Sequence, residues 1–211
     1  MMRTDSALIQ RYTRSDRVNH WVVAIAFVLA ALSGLALFDP IFFWLTNLFG
    51  GGPWTRIVHP YIGLLMFILF IGMALRFWSS NRLTAADRQW MKQWRDVIGK
   101  HEENLPQVGK YNAGQKYVFW ILVITLPLLL LTGLIMWQPW FAPYFSIGLL
   151  RLATVVHALA AFCVIALIMV HIYAAIWVKG SVRAMTRGTV TAAWAKQHHA
   201  AWHNEISKGA K

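Results

Sequence analysis

Four long apolar runs govern what this chain can become. They occupy residues 20–38, 58–78, 117–137 and 153–178. A helix needs about 20 apolar residues to cross the roughly 30 Å hydrocarbon core of a bilayer. In that medium every backbone N–H and C=O must be satisfied within its own segment, so the four runs are predicted as helices. Pro127 interrupts the third and is expected to kink it. Composition agrees: charged residues make up 13% of the 211, about half of the roughly 25% usual in soluble domains. The fold class read from this pattern is all-α integral membrane: a four-transmembrane-helix bundle forming one membrane domain over residues 1–211. The first run follows basic residues, as a signal peptide does, but it is longer than a signal core and lacks a small-residue cleavage motif. It is read as a retained anchor.

The net charge of +12 is placed where a membrane protein places it. Arg3, Arg11, Arg14 and Arg17 precede the first run. The 79–116 loop carries seven Lys and Arg, and the 179–211 tail six. The 39–57 and 138–152 connections hold only Arg56 and Arg151. By the positive-inside rule both termini and the 79–116 loop are cytoplasmic, and nucleic acid is excluded as a partner. Within that loop Trp90, Met91, Trp94, Val97 and Ile98 recur at helical spacing between charges, which predicts a short amphipathic helix on the cytoplasmic membrane surface. The C-terminal "TAAWAKQHHAAWHNE" is read as a second such helix or as a docking segment. The single cysteine, Cys163, is expected to be a small packing residue. One cysteine allows neither an internal disulfide nor a cysteine-ligated cluster, and there is no covalent haem attachment motif.

The chemistry lies in the histidines. His101, His198, His199 and His203 fall in polar segments and are read as surface residues. His20, His59, His157 and His171 lie in the apolar runs or at their ends, where ionisable groups are functional candidates by default. Topology gives each a depth: His59 and His157 toward the outer side, His20 and His171 toward the cytoplasm. His157 and His171 stand fourteen residues apart, about 21 Å along a helix and within about 40° of the same face. One helix can thus supply a ligand to each of two stacked groups. Two low-spin haems, each tied between neighbouring helices, would use all four imidazoles and offset the cost of burying them. One zinc cannot span that separation. The four runs contain no acidic residue, which argues against a proton relay and against most ion-coupled transporters. A haem-free anchor or transporter whose histidines only pack is the rival reading. Ser33, Gly34, Gly63 and Gly72 suit close approach of a macrocycle and equally suit ordinary helix packing. Arg56 and Arg151 suit either haem propionates or interfacial anchoring.

A second motif, "GKYNAGQK" at 109–116, precedes the third run. Asn112 and Gln115 have the spacing of a reciprocal helix cap. Gly114 is unexpected in a first helical turn unless something approaches the backbone. A quinone pocket beside the inner haem is the functional reading, with amide groups hydrogen-bonding a quinone carbonyl.

"RVNHW", "RIVHPYIG", "GKYNAGQK", "VVHALAAFCVIALIMVHIYAAIWVKGS" and "WAKQHH" together resemble the gamma (cytochrome b556) subunits of respiratory formate dehydrogenases of the N and O type, a family of di-haem membrane cytochromes b. The resemblance covers nearly the whole chain. Departures lie in the termini and in the 39–57 and 79–108 connections, for example "GGGPWTR". It implies two haem b groups, one on His59 and His157 and one on His20 and His171. It also implies a quinone site (menaquinone or ubiquinone) at Asn112, Gly114 and Gln115, near the inner haem. The implied partners are an iron–sulfur beta subunit and a periplasmic molybdenum-pterin alpha subunit, in a higher oligomer of the three-subunit unit. The implied place is the bacterial inner membrane, and the implied role is electron transfer to quinone in anaerobic respiration, contributing to proton-motive force. No formate-oxidising site is expected in this chain. The cytochrome b subunits of nickel–iron hydrogenases share the general plan and form the alternative family.

Overall fold

The computed structural model describes residues 7–99, 101 and 104–209. Arg3, Lys100 and Lys211 of the basic flanks lie outside the described residues. Four helices among these are long and apolar enough to cross a membrane. They are α1 (Arg14–Phe38), α2 (Gly52–Phe77), α5 (Ala113–Met136) and α6 (Ile147–Trp177), with the shorter α3 (Ala85–Lys92) and α4 (Trp94–Gly99) between α2 and α5. After α6 come α7 (Ser181–Arg187), α8 (Ala192–His198) and α9 (Ala200–Gly209).

The long helices extend beyond their apolar runs because polar residues close their ends. Thr13 and Asp16 cap α1 reciprocally: the Thr13 N–H donates to Asp16 Oδ2 at 2.9 Å and the Asp16 N–H to Thr13 Oγ1 at 3.2 Å. Asp16 is also the ion partner of Arg76 in the last turn of α2, at 2.9 Å. Arg76, inside the second apolar run, is thereby neutralised. At the other end of α1, Asp39 accepts from the Ile41 N–H at 2.9 Å and opens a 3-10 helix, Pro40–Phe49. The 39–57 connection is therefore largely helical. α5 continues across Pro127. α6, with 31 residues, is about 46 Å long at 1.5 Å per residue, longer than the hydrocarbon core.

The chain divides into two compact units. The first is formed by the described residues within 1–17, 76–120 and 171–211. Its core is Tyr12, Tyr111, Ala184, Val190, Ala195 and Trp202. Here the structure adds an element that the hydropathy pattern does not announce. Strand β1 (Leu8–Gln10) pairs antiparallel with β2 (Thr189–Thr191), Ile9 opposite Val190. Gly188 enters β2 with φ 82°. Its carbonyl accepts from the N–H groups of Arg11 and Tyr12 at 2.8 and 3.2 Å, and a Cβ there would lie 2.7 Å from the Tyr12 carbonyl oxygen. Only glycine suits both the dihedral and the approach. α8 and α9 pack into this core through Ala195 and Trp202.

The second unit comprises 18–75 and 121–170. Its buried positions include Ser33, Thr55, Phe70, Thr132 and Val164, whereas Ile25, Ile68, Ile124 and Leu159 are more than half exposed. Small, hydroxyl and apolar side chains fill the interior while large apolar side chains face outward, which is what a lipid-facing unit requires.

The amphipathic segment forms as two helices, α3 and α4. Thr84 and Asp87 make the capping box of α3.

Candidate functional site

Two imidazoles and two hydroxyls, from four helices, form the polar centre of the second unit. His59 on α2 and His157 on α6 have ring centroids 6.3 Å apart and planes inclined at 72°. Each is held from behind by a hydroxyl. Ser33 Oγ on α1 lies 2.8 Å from His59 Nδ1, and Thr132 Oγ1 on α5 lies 2.9 Å from His157 Nδ1. Both hydroxyl protons are committed elsewhere: Ser33 donates to the Leu29 carbonyl at 2.8 Å and Thr132 to the Leu128 carbonyl at 2.7 Å. A hydroxyl has one donor, so each imidazole is the donor at Nδ1, and each ring is also hydrogen-bonded to a backbone carbonyl beside that hydroxyl, Ala30 for His59 and Leu129 for His157. The network thus assigns the tautomer, and Nε2 of each ring keeps its lone pair.

The residue after each hydroxyl is glycine. A Cβ on Gly34 would lie 3.3 Å from His59 Cε1, and one on Gly133 would lie 3.4 Å from His157 Cε1. The rings therefore lie close against helix backbone. Ser33-Gly34 with His59 and Thr132-Gly133 with His157 are the same device used twice, the histidine following its hydroxyl by 26 and 25 residues.

This arrangement fits a metal held between two imidazoles. A metal–imidazole bond is about 2.0–2.1 Å, and a ring nitrogen sits about 1.1 Å from the ring centre, so two trans imidazoles have centroids about 6.3 Å apart. The observed centroid separation is compatible with that spacing, and Nε2 of each ring would supply the donor. Among the described residues no group of three or more His, Cys, Asp or Glu could hold a metal ion. A structural zinc, which takes four protein ligands, is therefore not served here. A group that needs only two imidazoles from the protein is served, and His59 and His157 would hold haem b, which would supply a one-electron carrier there.

His20 is the seventh residue of α1 and His171 the seventh from the end of α6. Both are half-buried. The His20 ring meets Trp21 edge-on at 5.5 Å. Arg56 lines a cleft with Ala36, Leu37, Phe43, Gly52 and Pro53, and both Arg56 and Arg151 are exposed.

In the first unit the motif before α5 forms its cap. The Gln115 N–H donates to Asn112 Oδ1 and the Asn112 N–H to Gln115 Oε1, each at 3.0 Å. These bonds use the side-chain oxygens and leave the amide N–H2 groups outside the cap. A Cβ on Gly114 would meet Trp90 of α3 at 3.7 Å, ordinary contact. Packing within the chain therefore does not demand glycine there. Lys116, one residue on from Gln115, is buried and ion-paired with Asp87 at 2.8 Å.

Two sequence expectations are overturned. His199 is a core residue, 2% exposed. It bonds the Gly109 carbonyl at 2.8 Å through Nδ1 and Arg11 at 3.1 Å through Nε2, beside the rings of Trp194 and Trp202. Its polar neighbours in sequence hid the folding of α8 and α9 onto the N-terminal segment. Cys163 is exposed, so it faces outward from α6 rather than packing inside. Thr132 and Gly133 lie against His157, a contact that the composition of the run did not suggest. Their signal was the repeat of "SGL" as "TGL", each followed by an intramembrane histidine.

Four membrane helices around a hydroxyl-braced imidazole pair of this spacing define a membrane cytochrome of the b type. The model of the family described as prokaryotic cytochrome b561 matches residues 11–188, and the chain belongs to that family. It is a multi-pass protein of the bacterial inner membrane, and its family's activity is haem-mediated electron transfer there. It is 47% identical over 208 residues to the cytochrome b556(fdo) subunit of formate dehydrogenase from Escherichia coli strain K12, covering 99% of this chain and 97% of the relative. The formate dehydrogenase cytochrome b556 subunit of Haemophilus influenzae is 43% identical over 93% of this chain and 83% of its own. The nitrate-inducible cytochrome b556(Fdn) subunit of Escherichia coli strain K12 is 41% identical over 96% and 94%. The resemblance read from the motifs is borne out.

Proposed function

We propose that this chain is the di-haem cytochrome b subunit of a respiratory formate dehydrogenase, carrying electrons from an iron–sulfur subunit across the membrane to quinone. The His59–His157 geometry supports the haem, and the 41–47% identity to formate dehydrogenase cytochrome b556 subunits supports the donor. His59 and His157 would hold one haem b, His20 and His171 a second. Bound there, haem b supplies a reversible one-electron carrier, and two at different depths give a route between the membrane faces.

The basic flanks orient the chain with both termini and the α3–α4 loop in the cytoplasm. His59 and His157 then face the periplasmic donor, an iron–sulfur beta subunit served by a molybdenum-pterin alpha subunit that oxidises formate. His20, His171 and the start of α5 lie toward the cytoplasm. There the amide N–H2 groups of Asn112 and Gln115 can donate to a quinone carbonyl, with close approach at Gly114. Menaquinone or ubiquinone plus two electrons and two protons gives the quinol. Drawing those protons from the cytoplasm while formate is oxidised outside contributes to proton-motive force. The three-subunit unit assembles into a higher oligomer, by resemblance a trimer. Arg56, one turn before His59, and Arg151 suit haem propionates at the outer level or interfacial anchoring.

The deciding experiment is a pyridine haemochrome assay with protein quantitation on the purified complex, wild type and His157→Ala. Two b haems per chain, falling to one in the variant, is the expected result. No haem in a complex that retains its partner subunits would overturn the reading.

A further inference from the structure

We propose that Ser33 and Thr132 are positioning residues for the His59 and His157 ligands: their hydroxyls fix the imidazole tautomers and ring planes and set the reduction potential of the haem held there. This rests on the reading of those two histidines as ligands.

The hydroxyls sit on helices other than those that bear the histidines, so each joins two elements at the ligand. Ser33 is fully buried and Thr132 nearly so. Each passes its own proton to a carbonyl one turn back in its helix. That bond fixes the oxygen as an acceptor facing the ring. An imidazole held by that oxygen together with the Ala30 or Leu129 carbonyl cannot rotate or exchange tautomers without leaving these buried groups unpaired. The glycine that follows each hydroxyl removes the side chain that would otherwise push Cε1 away. Backbone contact on one edge and a hydroxyl on the next hold the two ring planes 72° apart.

The electronic consequence has a definite sign. A hydrogen bond from Nδ1–H to an acceptor makes the ring a stronger donor through Nε2. A stronger donor favours the oxidised iron, so the two hydroxyls together lower the potential of this haem. Aliphatic residues at these positions would leave each ring one acceptor fewer, with only the backbone carbonyl of Ala30 for His59 and of Leu129 for His157, and the haem easier to reduce. The chain thus tunes one of its two carriers through residues that do not touch the iron.

The test uses the intact complex and compares Thr132→Val, Thr132→Ser, Ser33→Ala and the Ser33→Ala/Thr132→Val double variant with wild type. Haem content, redox potentiometry and low-temperature EPR are measured on each. The haem to follow is the one missing from His157→Ala. Its midpoint should move positive in Thr132→Val and in Ser33→Ala, further in the double variant, and stay at the wild-type value in Thr132→Ser. Its EPR signal should report altered ring planes while the other haem is unchanged. Haem loss in Thr132→Val with retention in Thr132→Ser also supports the hydroxyl role. Unmoved potential and EPR signal in the double variant, or equal losses in Thr132→Val and Thr132→Ser, overturn the proposal and leave the ligand reading intact. Full haem content in His157→Ala overturns the ligand reading instead.

Discussion

Lys116 Nζ lies 2.8 Å from Asp87 Oδ2 and 3.1 Å from the Arg82 carbonyl, joining the first turn of α5 to the first turn of α3. The side chains are 10% and 3% exposed. Removing one partner of such a pair leaves an uncompensated buried charge, a loss of about 3–5 kcal/mol. Lys116→Met should lower the thermal midpoint of the purified protein by several degrees. Burial acts to raise the Asp87 carboxyl, but hydrogen bonds from Lys116 and Thr84, with the Lys116 charge, outweigh it and hold it below its usual 3.8. The stabilisation is therefore full above the unfolded value and disappears as pH falls through the lower folded one. Unfolding curves of wild type and Lys116→Met should converge in acid. A constant gap across that range would remove the ion pair as the cause.

His199 gives the first unit a pH dependence at a milder range. Its burial, then the Arg11 charge, push the imidazole down to about 3 from 6.5, against the opposing bond to the Gly109 carbonyl. The folded state keeps the ring neutral while the unfolded chain takes a proton below 6.5. Stability is complete above that value and declines as pH drops toward the folded one. Unfolding followed by tryptophan fluorescence, which Trp194 and Trp202 beside His199 should report, should show a falling midpoint from pH 7 to pH 5. His199→Gln should flatten that slope, and an unchanged slope would assign it to other groups.

The close approach at Gly34 is directly testable. With a Cβ 3.3 Å from His59 Cε1, Gly34→Ala forces the ring to yield by a few tenths of an ångström. Gly34→Val displaces it outright, because overpacking of a filled interior moves side chains off their rotamers. Haem retention should fall in the order wild type, Gly34→Ala, Gly34→Val. Gly133→Ala, whose Cβ would lie 3.4 Å from His157 Cε1, should be milder than Gly34→Ala. Equal and full haem in all four would show that the glycines serve only helix packing.

The four long helices were legible in the sequence because bilayer physics leaves one solution for runs of that length. The Asn112–Gln115 cap was legible because a capping box is a local, four-residue device. What stayed hidden depended on contacts between segments distant in sequence. Leu8–Gln10 has no strand signal of its own and pairs with a segment some 180 residues away. His199 sits among polar neighbours, and only the folding of α8 and α9 onto Arg11 and Tyr12 buries it. The pairing of His59 with His157 followed from depth alone, but depth could not supply Ser33 and Thr132 as their braces. A serine or threonine within an apolar run is most often bonded to its own helix, and these two do that as well.

The cap and the proposed quinone contact at Asn112 can be separated because they use different atoms of one side chain. Asn112→Asp keeps the oxygen that accepts from the Gln115 N–H and removes the amide donor. Aspartate is as good an N-cap as asparagine, whereas alanine costs about 0.5–2 kcal/mol. Asn112→Ala should therefore lower both stability and quinone reduction. Asn112→Asp should leave the thermal midpoint near wild type while raising the KM for a water-soluble quinone analogue and lowering the reduction rate. Haem reduction by formate in the absence of quinone should be unaffected in both, since the route to the haems does not pass through this residue. Unchanged quinone kinetics in Asn112→Asp would return Asn112 to a purely structural role at the start of α5 and move the search for the quinone donor to the Gln115 amide.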